Sequence, residues 1–221
     1  MTPDELLKTL YDETLLGNAP AVLALTQQGL DLGLTPESLL FDSLIPSLEE
    51  VGARFERGDY FVPEMLIAGR AMSGALALLR PLLAETGVQT VGTFVMGTVK
   101  GDVHDIGKNL VNIMLEGAGF HVIDLGVQVP PEKFVEAIHE YKPDIVGFSA
   151  FLTTTMPMFK ANINALEKAG IRDQVVVMVG GAPVTQEYAD AVGADAYAAD
   201  ASQTVKKAKD LIQKKRAMVS A

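Results

Sequence analysis

The chain of 221 residues has no cysteine, no tryptophan and only three histidines. Without a thiol there is no disulfide, no thiolate metal site and no cysteine nucleophile. Basic side chains are also scarce, 18 against 28 acidic ones, for a net charge of −10. Such a chain repels phosphate backbones, so no nucleic-acid partner is expected. No unbroken apolar run approaches the roughly 20 residues that span a bilayer. The opening MTPDELLKTL carries acids early and lacks the apolar core of a secretion signal. A cytoplasmic protein with no membrane partner is the expectation.

What is present falls into two halves. Residues 1–88 hold 5 basic and 13 acidic groups, and residues 89–221 hold 13 and 15. The acidic half reads as a solvated helical surface or as a docking face for protein partners. Thr2-Pro-Asp-Glu5 has the pattern of a capping box with proline at the first helical position. Leu6, Leu7, Leu10 and Leu15 follow at helical spacing. Gly17-Asn18 ends that helix, and a second runs from Pro20 to about Leu32. Thr35-Pro36 opens a third, which Pro46 can kink and Gly58-Asp59 closes. A fourth runs from Pro63 to about Leu83. Four helices with short connections predict a small antiparallel bundle.

Residues 88–221 alternate instead. Strand-like runs at Thr90–Met96, His121–Asp124, Ile145–Ser149, Val175–Val179 and Ala196–Ala198 are separated by helical stretches near 106–118, 131–141, 156–169 and 185–192. A last helix covers about Ser202 to Met218. This pattern predicts a flavodoxin-like, five-stranded parallel α/β domain. The usual strand order is 2-1-3-4-5, with a ligand crevice beside strands one and three. Glu85-Thr-Gly-Val88 is the expected linker, dividing the chain into a helical cap domain (1–87) and an α/β domain (88–221).

The chemistry concentrates on His104. It stands in the run from Gly97 to Asn109, on the connection from the first strand to its helix, with Asp102 two residues away and glycines at 97, 101 and 107. An imidazole held by a carboxylate is the arrangement of an oriented metal ligand. The loops after strands three and four reach the same edge of the sheet. They bring Ser149-Ala-Phe-Leu-Thr-Thr-Thr155 and Gly180-Gly181. Hydroxyls on one wall and bare glycines on the other suit a long polar group entering beside the sheet.

Simpler sites fail. A Walker loop has four residues between its first glycine and Gly-Lys, and here five separate Gly101 from Gly107. Lys108 is followed by asparagine, and Asp102 and Asp105 would repel phosphate. The spacing is no dinucleotide fingerprint, and no nucleophile elbow is present. A zinc site held by protein alone needs three or four ligands, whereas His121 and His139 belong to a different strand and helix. One histidine without further nitrogen or sulfur ligands fits a metal already held by an organic macrocycle.

These residues resemble the cobalamin-binding proteins of the methionine synthase type, and most of all the small corrinoid methyl-carrier proteins of methanol, methylamine and methoxy-compound methyltransferase systems. That signature reads Asp-x-His-x-x-Gly, about 41 residues, Ser-x-Leu, then 26–28 residues and Gly-Gly. Here Asp102-Val-His-Asp-Ile-Gly107 is followed by 41 residues, Ser149-Ala-Phe151, 28 residues and Gly180-Gly181. Phe151 departs from the usual leucine, and altered packing is expected there. Arg54 to Met65 resembles the family's helical cap, so the likeness spans nearly the whole chain.

The resemblance implies cobalamin or a related corrinoid as cofactor, bound base-off, with His104 as the lower axial cobalt ligand. It implies that Asp102 fixes the imidazole tautomer and that Thr155 extends the pair. Ser149 and Thr153 would contact the buried nucleotide tail, flanked by Gly180 and Gly181, with Asp105 and Gly107 also at the cofactor. The implied partners are a methyl-donor methyltransferase, an acceptor methyltransferase using tetrahydrofolate or a thiol, and a reductive activase. The chain itself would be the methyl-carrier component of that system. Tyr60, Phe61, Met65 and Met72 are candidates for the upper corrin face, or else for bundle core. Other members of the wider group are light-sensing regulators, which use a cap histidine and tryptophan absent here, and mutase subunits, which lack this type of cap. A flavodoxin-like receiver would leave His104 without a role.

Overall fold

The computed structural model describes residues 1–86 and 90–219. The chain forms two compact units, Met1–Gln89 with Glu116–Gly119, and Thr90–Leu115 with Phe120–Ala221.

The first unit is helical: α1 (Pro3–Leu15), α2 (Ala19–Asp31), α3 (Pro36–Leu39), α4 (Ile45–Arg57) and α5 (Val62–Thr86). Its ends follow local chemistry. The Thr2 hydroxyl accepts the Glu5 N–H while the Glu5 carboxylate accepts the Thr2 N–H, completing the expected capping box. Asn18 and Thr35 cap α2 and α3, and Gly58 closes α4 in the left-handed conformation.

Pro46 stands at the start of α4, inside the stretch expected as one helix. It has no N–H to give Asp42, and its ring would crowd that carbonyl. The chain absorbs this in a π-helical turn, Leu40–Leu44, where the Ile45 N–H donates to the Leu40 carbonyl, and helix continues on both sides. α5 runs to Thr86, so Glu85 and Thr86 of the expected linker are helical, and Gly87 and Val88 lie outside the described residues.

By length and composition, α5 is apolar enough to cross a membrane, although Glu64, Arg70 and Arg80 break any continuous run. One side of it, Met65, Ala68, Ala71, Met72, Ala75, Leu76 and Leu79, is buried core of the helical unit.

The second unit is a parallel sheet of order β2-β1-β3-β4-β5. Its strands are β1 (Thr93–Thr98), β2 (His121–Asp124), β3 (Ile145–Ser149), β4 (Val176–Gly180) and β5 (Ala196–Ala198). They alternate with α6 (Ile106–Gly117), α7 (Pro131–Tyr141), α8 (Met158–Lys168), α9 (Gln186–Val192) and α10 (Ala201–Val219). The predicted order and most boundaries hold. β1, however, starts and ends two to three residues later than expected. Gly97 belongs to the strand, where a Cβ would stand 2.9 Å from the Phe134 ring. It is packed against the core and does not line the His104 loop.

One face of the sheet presents Val95, Val146, Val177 and Val179 to Phe134, Phe159 and Ile163. Phe134 and Phe148 meet edge to face at 4.7 Å between centroids. Gly147 is required in mid-strand, because a Cβ there would meet Phe94 at 2.6 Å and Met96 Sδ at 2.7 Å. The order reverses at β1, with β3 on one side and β2 on the other. The connections leaving the carboxyl ends of β1, β2 and β3 therefore stand together.

Candidate functional site

The connections after β1, β2 and β3 meet on one residue, Asp102. Asp102 is 0% exposed. Its Oδ1 accepts from the His104 backbone N–H at 3.1 Å and lies 2.7 Å from the His104 ring Nδ1. Its Oδ2 accepts the backbone N–H groups of Phe151 and Leu152 at 2.8 and 3.2 Å, and the Thr155 hydroxyl at 2.7 Å. Its backbone carbonyl accepts the Gln128 N–H at 3.0 Å, which ties in the connection after β2. The Thr98 hydroxyl donates to the His104 carbonyl at 3.0 Å and holds the loop to the end of β1. Gly101, at φ +84°, turns the chain into this loop.

The electrostatics follow from these bonds. Burial alone would raise the Asp102 pKa. Hydrogen bonds from Thr155, the His104 ring and the backbone of Phe151 and His104 outweigh it and hold the carboxyl far below the usual carboxylate range. Asp102 is therefore an anion that can only accept. The proton between it and His104 sits on Nδ1, so in the neutral ring Nε2 is the nitrogen that carries the lone pair. The imidazole is partly exposed, at 45%, whereas its carboxylate partner is fully covered. This gives one oriented nitrogen donor at the surface of the α/β unit.

Around it the surface is apolar. Val103, Ile106, Val127, Phe151 and Leu152 are exposed large hydrophobics, and all lie on these three connections or at the first residue of α6. Elsewhere in the described residues of this unit, only Tyr141 is a comparable case. The Phe151 ring stacks on the His104 imidazole at 4.4 Å between centroids and 29° between planes. The altered packing expected at this position is therefore contact with the histidine itself. A Cβ added at Gly107, in the first turn of α6, would meet nothing within 4 Å. One nitrogen donor, an apolar rim and an open first helical turn fit a flat macrocycle that brings its own metal. Among the described residues no cluster of three His, Asp or Glu could hold a metal ion unaided.

The remaining predicted residues take separate places. Ser149 ends β3, in register with Thr98 on one side and Gly180 on the other. Thr153 is exposed on the turn that carries Thr155. The Asp105 carboxylate accepts the Asn109 side-chain amide at 3.1 Å, and its carbonyl accepts the Asn109 N–H. Gly181, at φ +134°, has a local reason to be glycine, since a Cβ would stand 1.8 Å from the Ala150 carbonyl oxygen. Gly181 thus lets the end of β4 close on the backbone after β3, while a Cβ at Gly180 would stand 3.2 Å from the Ala198 carbonyl oxygen on the β5 side. In the helical unit Met65 and Met72 are core and Phe61 is exposed. The Tyr60 hydroxyl accepts from Arg54 at 3.2 Å and donates to the Leu15 carbonyl at 3.4 Å.

Two features escaped the sequence reading. Lys108, considered only as a failed Walker lysine, is almost wholly buried and pairs with Asp124 at the end of β2, while its Nζ donates to Asn109 Oδ1 at 2.8 Å. Val103 and Ile106, apolar residues flanking His104 in an otherwise polar loop, were the available signal for the rim.

Known proteins match both units of the chain. Two family models, each described as a B12 binding domain, match residues 92–208 and 6–80. The dimethylamine corrinoid protein of Methanosarcina barkeri is 43% identical over 96% of this chain and 100% of its own length. The trimethylamine corrinoid protein 1 of Methanosarcina acetivorans is 43% identical over 84% of this chain and 87% of its own. Among solved structures, the methanol:cobalamin methyltransferase complex MtaBC from Methanosarcina barkeri superposes with a TM-score of 0.85 at 30% identity, covering 95% of this chain and 80% of that one. With both units matched and one buried carboxylate orienting one exposed imidazole, the chain belongs to the family of B12-binding corrinoid proteins, and its cofactor is cobalamin or a related corrinoid.

Proposed function

We propose that this protein carries a methyl group between a substrate-specific methyltransferase and an acceptor methyltransferase, with residues 88–221 holding the corrinoid, residues 1–87 as its cap, and His104 as the lower axial ligand. The observation that carries this reading is the Asp102–His104 pair, a buried anion that fixes Nδ1–H and leaves Nε2 as a donor. When bound, the corrinoid supplies a metal centre that can accept a methyl cation equivalent and release it. The chain's own residues do the rest. Asp102 orients the imidazole and holds the Nδ1 proton, and Thr155 donates to the opposite carboxylate oxygen. Val103, Ile106, Val127 and Leu152 cover the lower face and exclude water. Asp105, Gly107, Ser149, Thr153, Gly180 and Gly181 bound the space for the remainder of the cofactor. Of the side chains considered for the upper face, Phe61 is free of the bundle core, whereas Met65 and Met72 are part of it.

The donor is taken to be a methylamine. Relatives named for dimethylamine and trimethylamine, each 43% identical, support this. The acceptor methyltransferase, working with tetrahydrofolate or a thiol, and a reductive activase complete the system, which operates in the cytoplasm.

The test is the visible spectrum of the protein reconstituted with methylcobalamin, beside His104→Ala. Histidine-ligated, base-off cobalamin is expected in the wild type and loss of that ligation in the variant. Absence of a corrin spectrum would overturn corrinoid carriage. Unchanged ligation in the variant would remove His104 from the metal. Methyl transfer from methylamines and from methanol, each with its own methyltransferase, then separates the donors.

A further inference from the structure

We infer that Phe151 is a positioning residue for the cobalt-ligating imidazole. The inference rests on the reading of His104 as the axial ligand.

Three observations carry it. The Phe151 ring lies on the face of the His104 ring, 4.4 Å away and 29° from parallel, at the short edge of the distances for an offset stack. The Phe151 ring is otherwise half exposed and does not belong to the hydrophobic core of the sheet, so core packing does not account for its place. The backbone N–H of the same residue donates to Asp102 Oδ2 at 2.8 Å. That bond fixes where the side chain begins, and its partner carboxylate is the one that holds His104 Nδ1.

The Cβ–Cγ bond and the Nδ1 contact with Asp102 define the ring plane, but libration about χ2 is opposed at that edge by a single hydrogen bond. The stack on Phe151 opposes the same libration across the ring face. Together they set the direction of the Nε2 lone pair before any metal arrives. Ordering the ring in advance removes a cost that ligation would otherwise meet. The sequence position where the family usually has leucine therefore carries an aromatic ring with a specific task in this chain. An aliphatic side chain would cover the imidazole without the orientational preference of a ring-on-ring stack.

The backbone bond to Asp102 survives any side-chain change, so substitution at residue 151 isolates the stack. The variants are Phe151→Ala, Phe151→Leu and Phe151→Tyr. In the cofactor-free protein, NMR is expected to show the His104 ring protons shifted upfield by the Phe151 ring, with cross-relaxation between the two rings. Both signals vanish in Phe151→Ala and Phe151→Leu and persist in Phe151→Tyr. In protein reconstituted with cobalamin, the visible spectrum gives the ratio of imidazole-ligated to unligated cofactor. That ratio should fall about 2- to 12-fold in Phe151→Ala, the range for loss of one aromatic pair, and return in Phe151→Tyr. A Phe151→Ala protein with unaltered His104 ring shifts, or with the wild-type ratio, overturns the inference. A wild-type protein whose spectrum is insensitive to His104→Ala overturns the ligand assignment instead, and the NMR result still reports on the stack.

Discussion

Asp102 concentrates more of this fold than any other single side chain at the site. Its carboxylate accepts from four residues on two connections, so Asp102→Ala strands the Phe151 and Leu152 N–H groups as well as the imidazole. A loss of about 2–3 kcal/mol is expected in urea unfolding of the cofactor-free protein. The pH dependence has a definite sign. A carboxyl whose folded pKa is lowered stabilises the fold fully above its unfolded value of about 4, and loses that contribution as pH falls toward the folded value. The advantage of wild type over Asp102→Asn should therefore be constant from pH 7 to about 5 and shrink below about 4, read from unfolding midpoints. The two glycine sites separate stability from binding. Gly181→Ala sets a Cβ against the Ala150 carbonyl at a positive φ and should cost more than the about 1–3 kcal/mol of backbone strain alone, in any form of the protein. Gly107→Ala meets open space inside a helix, so the cofactor-free protein should be unchanged or up to about 1 kcal/mol more stable, while its corrinoid affinity falls. At this scale the sequence was most legible where chemistry is local. Asp102 and His104 are two residues apart and could be paired on sight. Thr155, 53 positions from Asp102, could be tied to it only through the family likeness.

Among the elements, α5 separates core from surface along one helix. Met65 and Met72 are buried and Phe61, just before its first turn, is exposed. Met65→Ala and Met72→Ala should each lower the stability of the helical unit by about 2–5 kcal/mol, and Phe61→Ala should stay within about 0.5 kcal/mol in the same denaturation assay. Helices with a capping residue and an apolar period were readable to within a residue or two. What was not readable shares a cause. At Pro46, the missing N–H signalled a local defect, but its form, a π-helical turn, depends on the neighbours of the helix. At Gly97, glycine looked like the start of a loop because Phe134, the ring that needs the space, lies 37 residues later.

For the whole molecule, the strand order was legible because alternation of strand and helix leaves few arrangements open, and the reversal at β1 locates the ligand edge. The exposed rim was not, since exposure of Val127 and Leu152 is a property of the folded surface alone. Binding should couple to global stability. Free cobalamin at about 100 times its dissociation constant is expected to raise the unfolding free energy by about 2.7 kcal/mol, if it binds only the folded form. Thermal unfolding followed by circular dichroism should show the shift, and His104→Ala should reduce it at the same cofactor concentration.

The amides of Phe151 and Leu152 add a dynamic consequence. They belong to a surface turn with exposed side chains, where backbone hydrogens ordinarily exchange with solvent through small local openings. Here both amides are bound to the carboxylate of a residue with no solvent exposure, whose backbone carbonyl is in turn bound to the connection after β2. Freeing either hydrogen means dismantling that junction. In deuterium exchange these two amides should rank with the central strands in slowness, and their protection should drop to that of an ordinary turn in Asp102→Ala. A pair of loop hydrogens thus reports, without any cofactor bound, on the integrity of the junction that aims His104.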